Sequence, residues 1–548
     1  MSSRLARSAG LIGIATMASR ILGVVREIVL AGLFGASATP AMDAYNVAFR
    51  VPNLVRDLFA EGAMTAAFVP TFTRTLNSRG REAAWRLGNL VINALLLVTG
   101  VIVILAIVFA EPITRAIASA DLVGDVLRAL GITARAAAPQ GFASVPGKLE
   151  LTTALTRVMM PFLTTVAVAV AVMGMLNALH RFFLPALSPA MFNVATIVCA
   201  FVLVPIMPMV GLPEIAAIAI ATVLGGIGQI AIQWPALRKE GFRYQPILSF
   251  RDPDVREILR LMGPGTLGLA AVQINVLVNT SLATTEPQGA VSWLQYAFRL
   301  MYLPIGLFGV SIATAALPDL SRHAADADRS AMRKTISAGL RLMLMLNVPA
   351  TIGLIVLAQP IIELLLQYGR FTSHDTAATA AALMFYSPGL IGYSAVKIAS
   401  PSFYSLGDSR TPATVSILSI LMNLVLNVIL VRWMGYRGLA LGTAIAALFN
   451  ASTLLYLLDR RLDGLDGRQV AIAFVKILAA SVVMGIVAHF FSVWITDAVP
   501  GPQWYWRALR VSGAIAASVL ALMVSARLLA IAEFNDAMAR VTSRLVRR

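Results

Sequence analysis

The sequence predicts an all-α polytopic membrane protein with about 14 transmembrane helices, built as two parallel-repeat six-helix lobes plus two C-terminal helices. Of its 548 residues, 58% are hydrophobic and only 13% are charged, a balance that the surface of a soluble protein could not accommodate. Apolar runs of roughly 20 residues recur along the chain, and each is long enough as a helix to cross about 30 Å of hydrocarbon. Basic residues concentrate in alternate connections between these runs, which is typical of cytoplasmic loops.

The apolar runs, divided at proline, glycine and charged residues, define about fourteen predicted spans. Their centres lie near Ile21, Phe59, Val101, Val166, Thr196, Val223, Val272, Gly306, Leu346, Met384, Leu421, Ala446, Val482 and Ala517. We predict an N-lobe over residues 1–240 (spans one to six) and a C-lobe over residues 241–460 (spans seven to twelve). Residues 461–548 hold the two additional C-terminal helices.

The net charge of +17 is explained by topology, because the basic residues lie mainly in short connections and form no single nucleic-acid-binding face. Groups of them follow spans two, six and eight, including Arg74, Arg79, Arg238, Lys239, Arg329 and Arg333. The other connections are poorer in Lys and Arg and contain Glu214, Glu286, Asp375 and Asp497. The positive-inside rule therefore predicts that both termini are cytoplasmic.

An internal repeat relates the two predicted lobes. Ala48-Phe49-Arg50 precedes Val69-Pro70-Thr71-Phe72-Thr73-Arg74, and Ala297-Phe298-Arg299 precedes Leu317-Pro318-Asp319-Leu320-Ser321-Arg322 at nearly the same spacing. Each copy straddles an even-numbered span, so the repeats are parallel and related by an axis along the membrane normal. Transporters with this plan bind substrate between their halves.

Ionisable and polar residues inside the predicted spans are the main evidence for function. A charge in hydrocarbon costs about 2.5–3.5 kcal/mol, so it usually faces a cavity or a partner. The set in spans one, two and eight is Arg20, Arg26, Glu27, Arg50, Asn53, Arg56, Asp57, Glu61 and Arg299. These charges either pair with one another to hold helices together or line a cavity. Because arginines outnumber carboxylates, we predict a cavity that binds an anion such as a phosphate or diphosphate.

The sequence contains no motif for cofactor or metal chemistry that we recognise. It has no phosphate-binding G-x-x-x-x-G-K-[ST] loop and no H-E-x-x-H helix, and the connections are too short for an ATPase domain. Cys199 is the one cysteine, and the four histidines are scattered without metal-ligand spacing. We therefore expect no cofactor and no metal site, and transport that is passive or coupled to an ion or to the membrane potential.

The charged spans carry motifs that resemble the MurJ/MviN lipid II flippase family, in the superfamily of multidrug, oligosaccharidyl-lipid and polysaccharide exporters. The most specific are Ser19-Arg20-Ile21-Leu22-Gly23 with Arg26-Glu27, Asp43-Ala44, Pro52-Asn53-Leu54-Val55-Arg56, Phe59-Ala60-Glu61-Gly62-Ala63 and Ala67-Phe68-Val69-Pro70. Val291-Ser292-Trp293, Gln367-Tyr368-Gly369 and Phe403-Tyr404-Ser405 are supporting matches. The resemblance covers nearly the whole chain.

The resemblance implies a flippase that moves lipid II, the undecaprenyl-diphosphate-linked disaccharide-pentapeptide, from the cytoplasmic to the periplasmic leaflet of the bacterial inner membrane for cell-wall synthesis. It implies alternating access and a groove for the lipid tail formed by the two C-terminal helices. The substrate-binding residues carried over by motif are Arg20, Arg26, Asp43, Arg56, Glu61 and Arg299, to which we add Asn53 from the polar stripe of span two. The implied partners are lipid II, membrane lipids and the cell-wall synthesis machinery, without nucleic acid.

Two positions depart from the family pattern. Phe298 precedes Arg299, where some relatives have an acidic residue, so a neighbouring counter-ion is missing. The sodium site of some members uses acidic side chains of the seventh and eleventh helices, whereas this chain has Gln273, Asn275, Asn423 and Asn427 there. Sodium coupling is therefore not expected.

Three other functions are alternatives to lipid flipping. A drug or cation exporter of the same architecture would favour an acidic cavity, which the arginine surplus opposes. A non-transporting membrane scaffold would use the charges only structurally and would leave lipid II orientation unchanged. A membrane enzyme acting on polyprenyl phosphates would need an acid/base or metal constellation, for which we find no candidates in the sequence.

Overall fold

The computed structural model describes residues 2–57, 64–118, 142–306 and 310–535. Within these ranges the chain is helical and contains no β-strand, which confirms the predicted all-α fold class. Eight helical stretches in the described ranges are long and apolar enough to cross a membrane. The protein is therefore a multi-pass membrane protein.

The chain divides into two compact units, which we describe separately. Unit 1 comprises Met1–Ser292 and Tyr368–Phe371, and unit 2 comprises Trp293–Gln367 and Thr372–Arg548. The three-part division at residues 240 and 460 stays a prediction.

Unit 1 is built from long helices with two short 3₁₀ turns, at Phe142–Ser144 and Met207–Val210. Its helices are α1 (Ser2–Phe34), α2 (Ala41–Arg56), α3 (Met64–Val108), α4 (Ala110–Ala118), α5 (Lys148–Met159), α6 (Phe162–Ala178), α7 (Phe183–Leu187), α8 (Ala190–Val202), α9 (Ala216–Lys239), α10 (Pro253–Ala283) and the beginning of α11 (Ala290–Pro304). Helix α3 is interrupted at Gly80, where φ is 83°, a conformation that glycine adopts without steric cost. Buried apolar side chains of α3, α6 and α9, including Phe68, Phe72 and Phe162, form the core.

Unit 2 contains the rest of α11 and the helices that follow it. These are α12 (Val310–Ala325), α13 (Arg329–Val356), α14 (Ala358–Leu366), α15 (Ser373–Tyr386), α16 (Gly389–Ser405), α17 (Arg410–Met434), α18 (Tyr436–Arg461), α19 (Gly467–Ala498) and α20 (Trp504–Leu528). The side chain of Thr372 accepts a hydrogen bond from the Asp375 amide and begins α15 with a capping box. The core joins α13, α16, α18 and α19 through side chains such as Leu340, Phe403 and Leu454.

The predicted spans correspond closely to these helices. Twelve of the fourteen centres lie inside a helix. Of the other two, Phe59 lies outside the described residues and Gly306 lies just after α11 ends. Spans four and ten are each split by a proline, at Pro161 between α5 and α6 and at Pro388 between α15 and α16, because proline removes a backbone donor. Together the helices account for about 14 crossings.

The internal repeat is visible in the helix boundaries. Helix α2 begins nine residues before Arg50 (41 to 50), and α11 begins nine residues before Arg299 (290 to 299). In both copies a π-helical turn follows the arginine, at Asp57 in the first and at Ile305–Gly306 in the second. Further along, α6 and α16 are both 17 residues long and both begin directly after a proline. The two copies of the motif therefore lie at the same position relative to the start of their helices.

Candidate functional site

The predicted substrate-binding residues fall on three helices. Unit 1 holds Arg20 and Arg26 on α1, and Asp43, Asn53 and Arg56 on α2. Arg299 lies on the part of α11 that belongs to unit 2, and Glu61 lies outside the described residues. The geometry of each unit is therefore considered by itself.

Asp57, at the end of α2, connects two of the predicted residues. Its Oδ1 accepts hydrogen bonds from Arg56 Nη2 at 2.8 Å and Nε at 3.1 Å, and its Oδ2 accepts from Asn53 Nδ2 at 3.2 Å. Gln273 Nε2, from α10, donates to the same Oδ2 at 3.1 Å. The Arg56 and Asp57 side chains each keep 24% of their surface exposed, so this charged group remains accessible to a ligand.

Arg26 lies between a carboxylate and an aromatic surface. Its Nε donates to Glu27 Oε1 at 3.1 Å, and its Cζ lies 5.1 Å from the ring centroid of Phe192. Phe192 packs in turn on Phe49 and Phe162, with centroids 5.8 and 5.6 Å away. The guanidinium is thus held in a fixed orientation by an ion pair and a cation–π contact.

Arg20 is half-buried two turns before Arg26 on α1. Beside it, Asn193 Nδ2 of α8 donates to the Ser19 carbonyl at 3.1 Å. This hydrogen bond joins α1 to α8 next to Arg20, the first residue of the predicted anion site. It fixes the backbone from which the Arg20 side chain projects.

The charge balance of this region favours anions. Residues 15–57 contain four arginines, at positions 20, 26, 50 and 56, and three carboxylates. One carboxylate, Asp43, is neutralised by Lys148 Nζ at 3.0 Å. Within residues 15–57 the arginines therefore outnumber the carboxylates, and this surplus of positive charge favours an anionic ligand.

Asp43 is enclosed, with 1% of its surface exposed. Besides Lys148, its carboxylate accepts hydrogen bonds from Gly289 N at 2.8 Å, Ser292 N at 3.0 Å and Ser292 Oγ at 2.6 Å. It therefore caps the first turn of α11 from another helix. In this structure Asp43 joins helices, while its predicted contact with substrate stays a prediction.

Lys148 and Gln273 are polar residues of this region that the sequence did not single out as site residues. Lys148 is fully buried, and its Nζ lies 4.2 Å from the ring centroid of Phe142. A lysine at the start of an apolar run usually lies at the membrane interface, so the pattern gave no reason to expect a buried partner for Asp43. The sequence indicated Gln273 only as a residue that stands where some relatives have an acidic sodium ligand.

The corresponding helices of unit 2 are joined by a different pair. Trp293 Nε1 of α11 donates to Asp375 Oδ1 of α15 at 2.9 Å, and Asp375 is fully buried. Arg299 lies half-buried on α11, one position after Phe298. Neither α11 nor α16 contains an acidic residue, in agreement with the departure noted from the sequence.

The asparagines of the eleventh span form hydrogen bonds within the protein. Asn427 Nδ2 donates to Asn423 Oδ1 at 3.3 Å, and Asn423 Nδ2 donates to Thr443 Oγ1 of α18 at 3.5 Å. This joins α17 to α18, as is usual for asparagine between spans. In the described ranges, no three His, Cys, Asp or Glu side chains come together as metal ligands.

Comparison with known proteins agrees with this architecture. A family model described as lipid II flippase MurJ matches residues 30–501. The probable lipid II flippase MurJ of Vibrio cholerae is 34% identical over 454 residues, which cover 83% of each chain. The lipid II flippase MurJ of Burkholderia cenocepacia is 32% identical over 482 residues, covering 87% of this chain and 88% of the relative.

Solved structures give the same result. A lipid II flippase MurJ in an inward closed conformation superposes with a TM-score of 0.73 at 26% identity, covering 95% of this chain and 99% of the other. An inward-facing multidrug resistance MATE family transporter of the MOP superfamily has a TM-score of 0.64 at 18% identity, covering 84% and 99%, and is similar in fold alone. The chain therefore belongs to the MurJ family of lipid II flippases, which are membrane transporters and not enzymes.

Proposed function

We propose that this lipid II flippase moves its substrate from the cytoplasmic to the periplasmic leaflet of the bacterial inner membrane by alternating access. The observation that carries the proposal is the arginine surplus on α1 and α2. A diphosphate offers several anionic oxygens in planar arrangements that guanidinium groups bind in pairs. Lipid II has such a diphosphate between its lipid tail and its sugars.

Arg26 and Arg56 are the residues of unit 1 that we assign to the diphosphate most directly. Each is already held by a neighbouring carboxylate, Glu27 or Asp57, so the side chain is oriented before substrate arrives. A phosphate oxygen can replace the carboxylate as acceptor without leaving the guanidinium unpaired. We assign Arg20 and Asn53 of unit 1, and Arg299 of unit 2, to the same substrate, together with Glu61 and Asp43.

We further propose that no cofactor takes part and that any driving force is an ion gradient or the membrane potential. The partners we expect are lipid II, the surrounding membrane lipids and the cell-wall synthesis machinery. These expectations follow from the family and from the absence of a nucleotide-binding motif in the sequence.

The test is depletion of the protein in its host, followed by cleavage of periplasm-exposed lipid II with a toxin that cannot cross the membrane. Wild type should restore cleavage, whereas Arg26→Ala and Arg299→Ala should lose it while inserting normally, because the diphosphate loses charge-assisted hydrogen bonds. Arg115→Ala is the matched control, since Arg115 is 60% exposed and pairs with Glu111 on α4. Full activity of both cavity variants would contradict the proposal. Unchanged cleavage after verified depletion, in a host without a second flippase, would favour the scaffold function.

A further inference from the structure

Four aromatic rings form a cluster next to Arg299 in unit 2. Phe298 and Tyr302, one turn apart on α11, stack with centroids 5.8 Å apart and planes 29° apart. Tyr386 of α15 meets Phe298 edge-on at 5.5 Å, and Tyr393 of α16 meets Phe298 and Tyr302 at 6.3 Å each. We call Phe298, Tyr302, Tyr386 and Tyr393 the aromatic cluster.

The aromatic cluster has an open side. Tyr386 is 8% exposed, whereas Tyr302 is 40% exposed. Tyr302 is therefore the rim of the cluster, and its ring and hydroxyl present a surface that is apolar in the middle and polar at the edge.

The internal repeat places a different arrangement at the same position of unit 1. Phe49 follows Ala48 as Phe298 follows Ala297, and it packs on Tyr45, Phe162 and Phe192. There the protein covers the rings itself, because the Arg26 guanidinium lies over Phe192. The equivalent surface in unit 2 carries tyrosines, and its rim at Tyr302 is left exposed.

Two cations lie on the same helices as rings of the aromatic cluster. Arg299 lies three residues before Tyr302 on α11, and Lys397 lies four residues after Tyr393 on α16, so each shares a helix face with a ring of the cluster. Lys397 is exposed and eight residues from either end of α16 (389 to 397, 397 to 405). Because α15 and α16 together form span ten, Lys397 lies towards the end of that span. Arg299 is thus the cation nearest in sequence to the stacked pair Phe298 and Tyr302.

We propose that the aromatic cluster is a sugar subsite, in which a pyranose ring of the lipid-linked substrate packs on Tyr302 and Tyr393 while Arg299 binds the adjoining phosphate. This inference rests on the proposed function. A pyranose has an apolar C–H face that packs on aromatic rings. In lipid II the first sugar is bonded directly to the diphosphate. An aromatic ring beside an arginine that binds the diphosphate is therefore next to that sugar.

The test compares substrates with and without sugar. Binding of lipid II and of undecaprenyl diphosphate to the full-length purified protein is measured for Tyr302→Leu, Tyr393→Leu and Tyr302→Phe. Leucine removes the aromatic face and keeps an apolar side chain, and phenylalanine keeps the face. The control is Tyr404→Leu, because Tyr404 lies on the same helix α16, is 56% exposed and is outside the aromatic cluster. Elution volume and thermal unfolding confirm that each variant is folded.

Tyr302→Leu and Tyr393→Leu should each weaken lipid II binding about tenfold and leave undecaprenyl diphosphate binding unchanged. Tyr302→Phe and the control Tyr404→Leu should bind lipid II about as tightly as wild type. Unchanged lipid II binding in both folded leucine variants would overturn the subsite. Equal weakening for both substrates would also overturn it, since the rings would then only support Arg299. If wild type binds neither substrate, the proposed function fails instead, and the two failures are distinguishable.

Discussion

Lys148 and Asp43 are opposite charges withdrawn from water and enclosed among helices of unit 1. Such a pair contributes little net stability, because desolvation offsets most of the attraction, but removing one partner leaves a buried charge uncompensated. Asp43 adds three hydrogen bonds from residues 289–292. Together with Lys148, these donors satisfy both oxygens of the Asp43 carboxylate.

Lys148→Met should destabilise the protein by about 3–5 kcal/mol, since it leaves Asp43 buried without its cation. Asp43→Asn should be destabilising as well, whereas the double variant should be less destabilised than the sum of the two. Thermal unfolding of the four proteins in the same detergent gives the coupling. Strictly additive effects would show that the two charges do not interact.

At this scale the sequence located charged residues inside the spans but not most of their contacts. The arginines of α1 and α2 were recognisable because a charge in an apolar run is costly, and the pairs Arg26–Glu27 and Arg56–Asp57 are between chain neighbours. The Asp43–Lys148 pair joins residues 105 positions apart. No local pattern encodes such a contact, so it had to come from the structure.

Helices α16 and α18 pack closely because the residue of α16 at their contact is a glycine, Gly392. A Cβ added at Gly392 would lie 2.5 Å from the carbonyl carbon and oxygen of Ala447 and 2.7 Å from the amide of Leu448. Backbone atoms cannot rotate away as a side chain can. The contact is thus of the small-residue type that lets membrane helices approach.

Gly392→Ala should lower stability by about 1–3 kcal/mol, because the two helices have to move apart. Gly100→Ala is the matched control, since a Cβ at Gly100 of α3 meets nothing within 4 Å and alanine favours a helix by about 1 kcal/mol. The melting temperatures in detergent should therefore shift in opposite directions. A neutral Gly392→Ala would mean that α16 and α18 are more loosely packed than described.

At the scale of elements, hydropathy located the spans because length and apolar composition are local properties. It could not show that spans four and ten each consist of two helices joined at a proline, since proline is tolerated in membrane helices. Hydropathy also could not predict the aromatic cluster. Tyr386 and Tyr393 are brought to Phe298 only by the packing of α15 and α16 against α11.

The basic residues predict the orientation of the whole molecule in the membrane. They follow even-numbered spans, and an even number of crossings returns the chain to the side on which it began. A reporter fused after Arg548 should therefore be active only as a cytoplasmic reporter. The same reporter inserted at Gly501, in the connection between α19 and α20, should give the opposite result. Periplasmic activity after Arg548 would require one span more or fewer.

The cap that Asp43 provides for α11 also has a consequence for biogenesis. Its donors at Gly289 and Ser292 are 246 and 249 residues away in the chain, so closing this contact costs about 5 kcal/mol of loop entropy. A nascent chain inserted only as far as α9 contains Asp43 and Lys148 but not the amides that complete the cap. This cap therefore closes only after α11 has been synthesised and inserted, so this step in the maturation of the N-terminal half is late and non-local.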